Sequence, residues 1–87
     1  MEKKELKSAI DKMVKRANYY SRKAWEAMEK DWDEVERGYA GQILGIAEAM
    51  SYLGYFLDKE GREGYKYVFF KARKSKDAMD AWDDYEY

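Results

Sequence analysis

The sequence predicts an all-α protein: a long antiparallel helical hairpin followed by a third, C-terminal helix, assembled as a dimeric helical bundle. Three observations lead there. Apolar residues recur every three or four positions over most of the 87 residues. Proline is absent, so nothing forbids long helices. The first clear interruption is a short charged link at residues 29–34, just long enough to fold one helix back on another.

The first helix is expected over about 3–29. Leu6, Ile10, Met13, Ala17, Tyr20, Ala24 and Met28 form a stripe, widened by Ala9, Val14 and Ala27, with Lys, Arg and Glu opposite. Asp11–Lys15 and Glu26–Lys30 add i,i+4 pairs. In the link Glu29-Lys-Asp-Trp-Asp-Glu34, Asp31 and Glu34 read as an acidic capping box opening a second helix. This turn loosely resembles the one inside a tetratricopeptide hairpin. No second copy or closing proline follows, so the resemblance implies the hairpin alone.

The second helix is expected over about 32–59. Its seam is Trp32, Val35, Tyr39, Ile43, Ile46, Met50, Leu53 and Leu57, and Gly61 suits the position after its end. Gly38, Gly41, Gly45 and Gly54 lie within that span, each costing roughly 1 kcal/mol against alanine. Either another helix packs closely on them or the helix breaks near Gly38–Gly41. The run Tyr65-Lys-Tyr-Val-Phe-Phe70 has strand propensity, but no second strand-like run is evident to pair with it. Tyr65, Val68, Ala72, Ser75, Met79 and Trp82 instead keep helical spacing, giving a third helix over about 65–82 and an acidic tail at 83–87.

The chain reads as one domain, and a domain this small buries only about 60% of the surface its unfolded chain exposes. Without cysteine a disulfide cannot reinforce it, and no calcium-loop pattern appears, so self-association is the expected reinforcement. With 40% charged residues and no apolar run long enough for a leader or a span, a cytoplasmic protein without a membrane role is expected.

Catalysis needs a group tunable near neutral pH, and histidine and cysteine are both absent. No Ser–His–Asp set, phosphate-binding glycine loop or metal-ligand cluster can be assembled from this sequence. The expectation is a protein that is not an enzyme and needs no cofactor or metal.

Aromatic residues beyond the core seams suggest a partner surface. Trp25, Tyr52 and Tyr55 are its candidate anchors, and Gly41 and Gly45 make a smooth stripe beside them. Packing of the third helix on the same stripe is the intramolecular alternative. Charge is blocked along the chain: +3 over 1–31, −4 over 32–61, +5 over 62–76 and −5 over 77–87. Lys71, Arg73, Lys74 and Lys76, interleaved with rings, could bind nucleic acid. Asp77, Asp80, Asp83, Asp84 and Glu86 could imitate its phosphates, or could simply neutralise the basic block. The leading expectation is a non-catalytic protein–protein interaction module, homodimeric or bound to another protein. By size and composition it suits an accessory or inhibitor protein of a phage or mobile element. A nucleic-acid-directed protein is the alternative.

Overall fold

The structure, a computed structural model, describes residues 2–60 and 66–74. Two helices, α1 (Lys3–Glu29) and α2 (Asp33–Ser51), are followed by two strands, β1 (Tyr55–Glu60) and β2 (Phe69–Lys74). Ile10 clusters with Met50, while the Tyr20 ring lies 5.8 Å from that of Tyr39, so the two helices run antiparallel.

The link between them is a Schellman closure. The Asp31 and Trp32 amides donate to the Met28 and Ala27 carbonyls at 3.1 and 2.9 Å. This requires a left-handed residue, and Asp31 supplies it at φ 59°. Asp31 therefore ends α1 instead of capping α2, whose N-cap is Trp32 and has no side-chain cap bond.

The expected all-α bundle with a third C-terminal helix is overturned by the antiparallel β1–β2 ribbon. The second helix stops at Ser51, well short of 59. Its last turn tightens, with Leu53 N–H on the Met50 carbonyl and Gly54 N–H on that of Ser51, and Gly54 leaves the helix at φ 83°. That conformation is nearly free for glycine and costly for most other residues. The strand-prone run 65–70, expected to have no partner strand, finds one for Phe69 and Phe70 in Tyr55–Glu60, where Leu57 fits a helical spacing from Leu53 and a strand spacing from Tyr55 equally well. Of the expected third helix, residues 66–74 form a bend and a strand, and 75–82 lie outside the described residues.

Register sorts the ribbon's side chains. Tyr55 opposes Lys74 and Leu57 opposes Ala72 on the inward face; Phe56 opposes Arg73 and Asp58 opposes Lys71 on the outward one. Tyr55 completes the buried cluster with Ile10 and Met50, and Leu6, Met13, Val14, Ile46, Leu53, Leu57 and Ala72 pack around it. Outside, Arg73 Nε donates to Asp58 Oδ2 at 2.8 Å across the strands.

Two hydrogen-bonding side chains of α1 hold β2. Asn18 Nδ2 donates to the Phe70 carbonyl at 3.1 Å, and the Phe70 N–H donates to Asn18 Oδ1 at 2.7 Å. One turn on, the Ser21 hydroxyl donates to the Val68 carbonyl. Replacing Asn18 by alanine leaves both main-chain groups of Phe70 without these partners, so Asn18→Ala should cost about 1–3 kcal/mol. Urea unfolding followed by circular dichroism measures this, with the helical signal retained before the transition.

Candidate functional site

Interaction surfaces are the candidate sites here. Among the described residues, no three or more His, Cys, Asp or Glu side chains come together in a way that could hold a metal. Among them, too, no helix is long and apolar enough to cross a membrane.

The first surface is the outer face of α2. Helical geometry puts Gly41, Leu44, Gly45, Glu48 and Tyr52 on the side opposite the buried Met50. Leu44 is 70% exposed and Tyr52 is 79% exposed, unusual for residues of that apolar area. The helix is continuous through Gly38, Gly41 and Gly45, so there is no break there. Among the described residues nothing packs on them: outside the helix's own backbone, none of their atoms lies within 4 Å of where a Cβ would stand at any of the three. The Tyr52 hydroxyl donates to Glu48 Oε1 at 3.2 Å, an i,i+4 contact that steadies the ring on the surface.

The other expected anchors fall elsewhere. Tyr55 is 3% exposed and belongs to the core, and Trp25 is half-buried on α1. Neither lies on the outer face of α2. Three large side chains that sequence reasoning assigned to the core seam or left unassigned are exposed instead: Trp32, Val35 and Leu44. Trp32 has the Lys30 ammonium 4.7 Å from its ring centre. Leu44 could have been found by its angular position, one residue beyond the seam residue Ile43.

The second surface is the outer side of α1. From Lys3 to Lys23 this helix carries eight basic and two acidic side chains, whereas α2 carries four acidic and one basic. Three shallow depressions border α1 between Lys4 and Arg22, one of them opening toward α2 with Met13 and Ile46 in its wall, and Lys15 borders all three. At the far end Tyr19, 40% exposed, shares a depression with Tyr67 and Phe69, whose rings stack at 5.0 Å. Arg22 and Lys23 hold their charges 5.5 and 5.8 Å from the Tyr19 ring centre.

The expected basic quartet on β2 is not one surface. Lys71 is exposed, Arg73 is tied to Asp58, Lys74 is buried opposite Tyr55, and Lys76 lies outside the described residues. The candidate mimicry residues Asp77, Asp80, Asp83, Asp84 and Glu86 also lie outside them. Comparison of the chain with protein-family models, curated proteins and solved structures gave no match.

The buried Lys74–Tyr55 pair makes stability depend on pH with two opposed signs. Burial, then the charge of Lys3, pushes the Lys74 ammonium below its ordinary 10.5, and burial pushes the Tyr55 phenol above 10.0. The unfolded chain thus holds the Lys74 proton more tightly, and stability rises with pH until the unfolded lysine also loses it. For Tyr55 the folded chain holds the proton more tightly, so stability falls as pH climbs past the ordinary phenol value. Lys74→Met should abolish the rise and Tyr55→Phe the fall, read as urea midpoints between about pH 8 and pH 11.

Among the described residues nothing fills the space beside Gly41 and Gly45, so alanine at either should stabilise the isolated chain by about 1 kcal/mol. Denaturation at concentrations low enough to exclude association measures this.

Proposed function

We propose that the chain is a non-catalytic interaction module that pairs with a second copy of itself through the outer face of α2. The observation that carries this reading is that the face is self-complementary. Two α2 helices laid antiparallel about a two-fold axis between Gln42 and Ile43 bring Arg37 of each copy opposite Glu48 of the other. The same operation sets each Leu44 over the other copy's Gly41. One arrangement thus matches opposite charges and places the most exposed leucine where no side chain stands. A two-fold interface uses every such contact twice, so a short face suffices for specificity.

The glycines fit this role. With no Cβ in the way, two helix backbones can approach closely, which offers a return for a propensity cost that the described residues do not repay. Tyr52 extends the apolar area at the C-terminal end of the face.

Sedimentation equilibrium tests the reading. The wild-type chain should dimerise, and Arg37→Glu should weaken the dimer about tenfold, because it sets two like-charge contacts at about 0.5–1 kcal/mol each. Arg37→Glu combined with Glu48→Arg should restore most of the affinity, since the swap re-forms both pairs. Leu44→Glu should leave a folded monomer. A wild-type chain that stays monomeric at millimolar concentration, or a swap that fails to rescue, overturns the proposal.

A further inference from the structure

We propose that the outer side of α1 is a docking surface for single-stranded nucleic acid, independent of any pairing through α2. Its phosphates would follow Lys4, Lys12, Lys15 and Arg22, Lys23 being paired with Glu26 at 3.4 Å, while a base stacks on Tyr19. The argument starts from charge. Eight basic residues against two acidic ones over Lys3–Lys23 is a local excess that the chain's overall balance of −1 hides. The excess is displayed along a line, because α1 leaves Lys4, Lys12, Lys15 and Arg22 exposed on its outer side. The three depressions between Lys4 and Arg22 span about 27 Å at 1.5 Å per residue, room for several consecutive nucleotides.

A cationic strip alone would suit any polyanion. The rings narrow the class. Tyr19 stands partly exposed between Lys15 and Arg22, and the stacked Tyr67–Phe69 pair walls the same depression. Alternation of cation and exposed ring is what an unpaired strand offers to satisfy, phosphate to ammonium or guanidinium and base to ring face. The bases of a duplex are stacked on one another and cannot use the rings. The platform is also built firmly: Asn18, in the middle of the depression, spends its amide on the Phe70 main chain, holding Phe69 beside Tyr19.

Fluorescence anisotropy of the full chain with a labelled oligothymidylate of about 12 nucleotides tests this. Binding is expected at low salt, with the affinity falling on a log–log slope of about −3 for four phosphate contacts. Lys15→Glu with Arg22→Glu should lower affinity at least about thirtyfold, and Tyr19→Ala about tenfold, with far-ultraviolet circular dichroism unchanged. Lys30→Glu, off the line, should change it less than about threefold. No binding by the wild-type chain at low salt overturns the proposal, as it would if the carboxylates of residues 77–87 occupied the strip. Equal binding of heparin and the oligonucleotide, with no effect of Tyr19→Ala, overturns it in favour of a general polyanion surface.

Discussion

The fold depends on how α1 seals the open edge of β2. A two-stranded ribbon has two free edges, each a row of main-chain donors and acceptors that must be paired or wetted. The main-chain groups of Phe70 in β2 and of Val68 just before it face α1, two residues apart. Asn18 and Ser21 meet them at the three-residue period of a helix face. The match is possible because three residues of helix rise about 4.5 Å and two residues of strand about 6.6 Å, close enough for side chains to bridge. With that edge closed, the inward face of the ribbon presents Tyr55, Leu57 and Ala72 to the core around Ile10 and Met50. An isolated hairpin of this size would be marginal in water, so the ribbon and the helix pair stabilise one another.

The same construction divides the surface. α1 faces three ways: toward α2, toward β2, and outward with lysines, arginines and Tyr19. α2 packs through Met50 and Ile46 and leaves an outer face where Leu44 and Tyr52 stand beside bare glycines. Glycine in a helix weakens it, and here three glycines do so with no neighbour among the described residues to gain from their lack of a side chain. Local preferences that disagree with the fold of one chain tend to mark places where function sets the residue.

Part of this was legible in the sequence. The stripes through Ile10 and Met50 identified two helices and the residues between them, and the charged link at 29–34 identified the turn. The glycine stripe and Tyr52 drew notice as a candidate surface from helical spacing alone. The rest was not legible for specific reasons. Leu53 and Leu57 fit a helix at i,i+4, while Tyr55 and Leu57 fit a strand at i,i+2, and the two periods share a residue. Asn18, the only asparagine in the chain, carried no local signal, because its partner Phe70 lies 52 residues away. The basic residues of α1 share the stretch 1–31 with six acids, which leaves it at only +3, and only the orientation of the helix places Lys4, Lys12, Lys15 and Arg22 on one side.

The sequence by itself determined where the chain can be helical, which faces of those helices are apolar, and that histidine and thiol chemistry are closed to it, because these follow from residue identity and short-range period. Only the tertiary structure decided that Gly54 ends α2, that residues 55–60 pair with 69–74, and that Tyr55 lies inside while Tyr52 lies outside. Those outcomes turn on contacts between residues far apart in the chain, whose energy outweighs the local preference at each position.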